Sequence, residues 1–135
     1  MKYLLFIAMF SLVSSVAMAD GFRCSGEGFR VKMYNQVQPE LGTKNPAVLV
    51  VFEKGAGTLA TLYGEEIEAE YSSDTLVYGG QTNGKLDGRF VHVNLEIEKQ
   101  PSEDGKTHAA RLTVAENGLR RIAYLACARY LKGER

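Results

Sequence analysis

The chain contains two histidines, His92 and His108, whose side chains are the best suited to metal binding or acid–base chemistry near neutral pH. The alternating apolar residues around them predict strands, with His92 on the outer face and His108 at the end of the inner face. Residues on opposite faces of a sheet cannot ligate one metal ion together or form a nucleophile–base pair. We therefore expect no metal site, no cofactor and no catalytic centre, so the sequence favours a protein that is not an enzyme.

Charged side chains form two groups that could bind ions or partners. Glu66, Glu68 and Glu70 alternate along one predicted strand, about 7 Å apart on its outer face. Such a row could bind Ca²⁺ or a cationic partner, but no D-x-D-x-D-G loop accompanies it, and the pattern favours a solvated strand that resists aggregation. A basic cluster on the last strand contains Arg121, which is expected at the barrel mouth, and Arg129. This cluster is either solvated or a site for an anionic partner or glycan.

The first nineteen residues have the features of a secretory leader. Residues 3–13 are almost continuously apolar, and the small residues Ala17 and Ala19 form an A-x-A-like cleavage pattern. The sequence therefore predicts a cleaved leader over residues 1–19 and a single domain over residues 20–135, with a periplasmic or secreted location. No second long apolar run follows, so we expect no transmembrane segment after cleavage.

Cys24 and Cys127 stand near the two ends of the predicted domain and are the two cysteines of the chain. In an oxidising compartment, an isolated pair of this kind is expected to form a disulfide. A redox-active or metal-binding pair would be expected to show C-x-x-C spacing, which the chain lacks. We therefore predict a bond that joins the first strand to the last.

Composition limits the class of protein and of partner. The chain has 135 residues, of which 45% are hydrophobic, and it carries 16 basic and 16 acidic side chains. These values are typical of one globular domain and not of a disordered tail. A formal net charge of zero argues against a nucleic-acid-binding protein, because such proteins present a positive surface to phosphates.

Strands are predicted along nearly the whole domain, separated by turn signals. Asn83-Gly84 and Asn117-Gly118 are typical of type I′ hairpins, and further turns are expected at 54–57, Gly64-Glu65 and 72–74. The alternation assigns these residues to one inner face: Cys24, Phe29, Val31, Met33, Val48, Val50, Phe52, Ala60, Leu62, Ile67, Ala69, Tyr71, Leu76, Tyr78, Val91, Val93, Leu95, Ile97, Leu112, Val114, Ala123, Leu125 and Cys127. The turns predict these facing pairs: Val91 and Val114, Val93 and Leu112, Leu76 and Val91, Ala69 and Tyr78, Leu62 and Ile67, and Leu112 and Ala123.

The predicted fold class is all-β, an antiparallel up-and-down barrel of about eight strands that is closed by the terminal disulfide. A two-sheet β-sandwich is the alternative, because alternation does not distinguish a closed sheet from one that folds over. The inner face is dense in Val, Leu, Ile and aromatic residues, so we expect a packed core and not a ligand cavity.

The segment Phe22-Arg23-Cys24-Ser25-Gly26, followed by Val31 and Tyr34, resembles the opening of the periplasmic C-type lysozyme inhibitors. The segment Ala69-Glu70-Tyr71-Ser72-Ser73 is similar to a loop of that family in which a serine and a basic residue precede a tyrosine. In this chain Ile67 stands in place of the serine and Glu70 in place of the basic residue. The resemblance implies a small secreted antiparallel barrel, and it implies compartment and architecture more directly than activity.

The outer face carries apolar residues that singly need no explanation but together could form a binding patch or could be covered by the 38–46 loop. They are Leu49, Val51, Leu59, Tyr63, Ile122, Tyr124 and Tyr130. We predict a non-catalytic, inhibitor-like protein-binding module that contacts a protein partner through Tyr63, Tyr124, Tyr130 and Arg129. The alternative is a small-molecule or envelope-glycan-binding protein with a barrel cavity.

Overall fold

The computed structural model describes residues 20–35, 46–85 and 87–131. The predicted leader over residues 1–19 lies outside the described residues. The structure confirms an all-β antiparallel fold, with nine strands where about eight were expected. The strands are β1 (Asp20–Gly26), β2 (Phe29–Asn35), β3 (Pro46–Glu53), β4 (Gly57–Tyr63), β5 (Glu68–Tyr71), β6 (Thr75–Gln81), β7 (His92–Pro101), β8 (Thr107–Glu116) and β9 (Leu119–Leu131).

One sheet contains all nine strands, in the order β4-β3-β2-β1-β9-β8-β7-β6-β5, and it curls into a half-barrel. The first strand pairs with the last, as predicted, and Cys24 lies directly opposite Cys127. These cysteines form the expected disulfide, with their Cα atoms 3.9 Å apart. The two edge strands of the sheet are β4 and β5, which are consecutive in the chain. The gap in the half-barrel therefore lies between these two strands and not between the first and the last strand.

A 3₁₀ turn at Gly64–Glu66 connects β4 to β5 across the opening. The predicted pairing of Leu62 with Ile67 is therefore wrong: both side chains are buried, but Ile67 lies between the turn and β5, and β4 and β5 form no ladder. The turn lies on β6, where a Cβ atom at Gly80 would collide with the carbonyl oxygen of Glu66. Because Gly80 has no side chain, the 3₁₀ turn can contact β6 closely at this end of the gap without forming a strand ladder.

The inner face forms one hydrophobic core, and most of it matches the predicted residues. The buried hydrophobic residues are Phe22, Cys24, Val31, Met33, Leu49, Val51, Leu59, Ala60, Leu62, Ile67, Tyr78, Val91, Val93, Leu95, Ile97, Ala110, Leu112, Val114, Ala123, Leu125 and Cys127. Phe29, Ala69 and Leu76 are partly buried and pack against them.

The predicted face of β3 is wrong. Leu49 and Val51, expected outside, are 0% exposed, whereas Val48, Val50 and Phe52 are only partly buried. The cause is the pairing with β2, which sets Val51 opposite the core residue Val31 and Leu49 opposite Met33. Facing residues share one side of a sheet, so the register of β2 determines that of β3.

Two further residues depart from the predicted alternation. Leu59 was expected outside but is buried next to Ala60, because the β3–β4 ladder shifts register between Val51 and Phe52 and brings two successive residues inward. Tyr71 was expected inside but is 46% exposed, because it ends the four-residue edge strand β5. Its ring meets Tyr78 edge-on, with 6.0 Å between ring centroids.

The facing pairs show which turns were assigned correctly. Ala69 faces Tyr78 and Leu112 faces Ala123, as predicted. Three other predicted pairs are wrong. In each of them the observed register differs from the predicted one by an even number of residues, so the same side chains still point inward. Val93 faces Val114 in place of Leu112, so Val91 does not face Val114, and Leu76 faces Ile97 in place of Val91.

The connection between β6 and β7 explains why Leu76 faces Ile97 and not Val91, because Asn83-Gly84 forms no two-residue turn. Thr82 instead anchors a longer loop: its Oγ1 donates to the Arg89 carbonyl at 2.8 Å and accepts from the Val91 N–H at 2.9 Å. The Asn83 Oδ1 accepts from the Lys85 N–H at 2.9 Å, which bends the chain locally. The turn predicted here is therefore replaced by a ten-residue connection from Thr82 to Val91.

We expect the Cys24–Cys127 bond to dominate the stability of the fold. The bond closes a separation of 103 residues, and loop-closure entropy gives about 4–5 kcal/mol for a loop of that size. Replacing both cysteines with alanine should lower the free energy of unfolding by that amount in urea denaturation. Reduced wild-type protein, which keeps both sulfur atoms, is the control and should lose a similar amount. Two titratable thiols in the unfolded, non-reduced protein would contradict the bond.

The turn at Asn117-Gly118 gives a second stability prediction. Both residues have positive φ, 55° and 78°, as a type I′ turn requires. Gly118→Ala should lower the free energy of unfolding by about 1–2 kcal/mol, because an added Cβ disfavours the left-handed conformation. The matched control is Gly64→Ala, where a Cβ would also meet no atom within 4 Å but φ is not positive. Equal effects of the two substitutions would contradict the assigned cause.

Candidate binding surface

The inner face is an apolar packed core. Among the described residues, no polar or charged residue is buried. His108 lies at the end of the inner face, where its ring meets Phe22 edge-on and its Nδ1 is 2.9 Å from the Glu98 carbonyl oxygen. His92 is exposed on the outer face, so the two histidines lie on opposite faces, as the alternation indicates. Within residues 20–35, 46–85 and 87–131, no three His, Cys, Asp or Glu residues form a group that could hold a metal ion.

Two bidentate ion pairs tie the strands together at one end of the half-barrel. Arg121 donates two hydrogen bonds to the Glu53 carboxylate, so it bridges β9 to β3, and its guanidinium lies 5.4 Å from the Phe29 ring centroid. Arg89 donates to both carboxylate oxygens of Glu116, at 2.7 and 2.6 Å. Arg121 therefore lies near the mouth of the half-barrel, as expected, and is paired with an acid from the same chain.

The Arg89–Glu116 pair should make stability depend on acid pH. The hydrogen bonds from Arg89 hold the pKa of Glu116 below its ordinary value of 4.5, so the stabilising effect of the pair is present above that pH. It is lost as the pH falls through the lowered pKa of the folded state.

We therefore predict that Glu116→Gln lowers the melting temperature at pH 7 and that the difference from wild type shrinks below pH 4.5. Thermal unfolding followed by circular dichroism at both pH values measures this. Glu103→Gln is the matched control, because Glu103 is exposed and forms no ion pair with the described residues. A difference for Glu116→Gln that is the same at both pH values would contradict the linkage.

Tyr124 and Ile122 form the apolar part of the outer face of β9. Tyr124 is 63% exposed and Ile122 is 45% exposed. The backbone of Tyr124 is held from one side by Glu27, whose Oε1 accepts the Tyr124 N–H at 2.9 Å. On the other side Arg111 faces Tyr124 across the ladder, and Arg111 pairs with Glu96 at 2.8 Å. Since the disulfide-bonded Cys127 lies three residues away on the same strand, the aromatic side chain projects from a rigid support.

A shallow groove of about 350 Å³ adjoins Tyr124 on the outer face. Its lining is both polar and apolar and comes from β6, β7, β8 and β9: Thr75, Glu96, Glu98, Ala109, Ala110, Arg111 and Tyr124. We call Ile122, Tyr124 and this groove the Tyr124 surface. It combines an exposed aromatic ring with charged neighbours, an arrangement that is common in protein interfaces.

Tyr63, the other proposed aromatic contact, lies far from Tyr124. It is 53% exposed, on the edge strand β4, and three strands separate it from β9 in the sheet. Tyr63 and Tyr124 therefore lie on strands that are four positions apart in the sheet, and the prediction that they belong to one surface stays a prediction. Arg129 is exposed on β9 but follows the alternation of the inner residue Cys127, so it points to the other face from Tyr124. The side chain of Tyr130 lies outside the described part of the structure.

Sequence reasoning missed a second outer groove, of about 580 Å³, at the β2–β3 hairpin. It is lined by Gly28, Phe29, Arg30, Lys32, Phe52, Glu53, Lys54, Gly55 and Gly57. The alternation of Arg30 and Lys32 on outward positions of a predicted strand was a visible signal for it. The contribution of Lys54 was not visible, since it depends on the register of β3 against β2.

Comparison with protein-family models, with curated proteins and with solved structures gives no match. The resemblance to C-type lysozyme inhibitors thus remains an expectation from the sequence.

Proposed function

We propose that this protein is a non-catalytic protein-binding module that acts outside the cytoplasm and contacts its partner through the Tyr124 surface. The observation that carries the proposal is the exposure of Tyr124 and Ile122 side by side on the outer face of a disulfide-bonded strand. Exposed aromatic residues on a rigid support lose little conformational entropy on binding, and they supply much of the energy of protein interfaces.

The packed inner face supports binding on the outside over chemistry or cargo inside. Leu95, Ile97, Leu112, Val91 and Val93 are completely or almost completely buried against one another in the core. A binding site for a small molecule inside the sheet would need room that these side chains fill. The outer face carries the exposed side chains of Tyr124 and Ile122 and the grooves of about 350 and 580 Å³. A pocket of about 330 Å³ between β4 and the β6–β7 loop reaches the buried residues Leu59, Ala60 and Val91.

The leader-like residues 1–19 and the disulfide support a location outside the cytoplasm. Disulfides persist in oxidising compartments and are rare where thiols are kept reduced. In the part of the chain that the structure describes, no helix has the length and apolar character needed to cross a bilayer.

Glycan binding at the same surface is the second candidate. Tyr124 lies next to Glu96, Glu98 and Arg111 in the groove of about 350 Å³. An aromatic ring beside carboxylates is a surface on which a sugar ring can stack and form hydrogen bonds. The candidate differs from the protein-binding proposal in the ligand and not in the site.

Tyr124→Ala should weaken partner binding about tenfold or more, because a central aromatic contact contributes roughly 2 kcal/mol or more. The purified, oxidised protein is immobilised and exposed to an envelope extract, and the captured protein is then purified for measurement of its Kd. A C-type lysozyme, the partner that the sequence resemblance implies, is assayed in parallel for binding and inhibition. Unfolding curves establish that the variant keeps the stability of the wild type.

Two matched variants test the location of the contact. Tyr63→Ala removes an exposed tyrosine from a distant strand, and His92→Ala removes an exposed ring from β7; both should leave the Kd nearly unchanged. Equal loss of binding in Tyr63→Ala and Tyr124→Ala would contradict the Tyr124 surface. A wild-type preference for envelope glycan over any protein would favour the second candidate.

A further inference from the structure

Three cations lie in a row on the outer face of the β2–β3 hairpin. Arg30 and Lys32 occupy alternate positions of β2, and Lys54 lies next to Gly28, since its N–H donates to the Gly28 carbonyl at 2.8 Å. Positions 30 and 32 share one face of β2 and are about 7 Å apart. Lys54 extends the row past Arg30, because its backbone contacts Gly28 in the turn that precedes the strand. All three cations line the groove of about 580 Å³.

No acidic side chain of the described residues forms an ion pair with these three cations. Arg89, Arg111 and Arg121, in contrast, are each paired with a glutamate. Glu53 also lines the groove, but both of its oxygens accept from Arg121. Within the part of the chain that the structure describes, the groove therefore presents positive charge that no acidic side chain compensates.

The groove adds an apolar contact in the middle of the row. Phe52 faces Arg30 across the ladder and is only partly buried, and Phe29 lies at the inner wall under Arg121. A ligand that fits here carries negative charges about 7 Å apart with less polar atoms between them. An extended peptide with an acidic side chain at every second residue has that spacing.

The charge of the rest of the molecule limits the length of such a ligand. Glu68, Glu70 and Glu98 are exposed on β5 and β7 at the other half of the sheet, and the net charge of the chain is zero. A long polyanion such as a nucleic acid or a sulfated glycan would extend beyond the row and meet this acidic half. A short acidic segment would contact only the cations.

We propose that the β2–β3 groove binds a short, extended acidic segment of the protein partner, with carboxylates at alternate residues paired to Lys54, Arg30 and Lys32. The inference rests on the proposed function and supplies the chemistry of the partner. The groove and the Tyr124 surface adjoin, because Glu27, which holds the Tyr124 backbone, precedes the groove residue Gly28. One partner can thus reach both.

The test uses the purified, oxidised protein and a fluorescein-labelled five-residue peptide with glutamate at alternate positions and threonine between them. Fluorescence anisotropy should show saturable binding that weakens as salt rises, because these are exposed charges. The double variant Arg30→Gln/Lys32→Gln should bind about tenfold more weakly, since exposed ion pairs contribute up to roughly 1 kcal/mol each. Lys99→Gln, which removes an exposed cation from β7, should bind like the wild type.

Several results would overturn the proposal. These are no binding at millimolar peptide, equal binding of the glutamine-for-glutamate peptide, or equal affinity of the double variant and the wild type. Tighter binding of heparin or inorganic phosphate than of the peptide would assign the groove to other anions. A salt-sensitive dimer in sedimentation experiments would assign it to the acidic β5 of a second copy. If the peptide fails to bind while partner capture still depends on Tyr124, the groove proposal alone is wrong; the reverse pattern overturns the Tyr124 surface alone.

Discussion

The pairing of β1 with β9 is the contact on which the rest of the sheet depends. Cys24 and Cys127 face each other in this ladder and join its strands covalently. Through it the β2–β4 half of the sheet meets the β5–β8 half, since every other ladder joins strands that are consecutive in the chain. Without this one long-range pairing, the two halves would each lose the neighbour that buries their inner faces.

The same pairing arranges the outer face. β9 carries Tyr124 at the centre of the strand order, with the basic row of Arg30 and Lys32 toward one end and the acidic residues Glu68 and Glu70 toward the other. The fold thus separates charge along the outside while the inside stays apolar. Both proposed contacts lie within two strands of the disulfide-bonded pair β1 and β9.

Features that depend on neighbouring residues could be predicted from the sequence. Features that depend on the register between distant strands could not. Asn117-Gly118 forms its turn because both residues accept positive φ, which two residues decide by themselves. The run 48–52 is apolar at every position, so alternation could not assign its faces. The loop after β6 depends on the Thr82 hydroxyl reaching residues seven and nine positions away. The outward position of Tyr124 could be predicted from the alternation of β9, which by itself does not give its distance from Tyr63 across the sheet.

The disulfide also determines how the molecule would carry mechanical load. Because Cys24 lies in the first strand and Cys127 in the last, a pulling force applied at the two ends of the chain passes through the sulfur–sulfur bond. The residues between the two cysteines form a loop that the disulfide closes, so such a force is not transmitted through them. Strands β2 to β8, with the basic row, would therefore keep their shape under tension that would unravel a reduced chain.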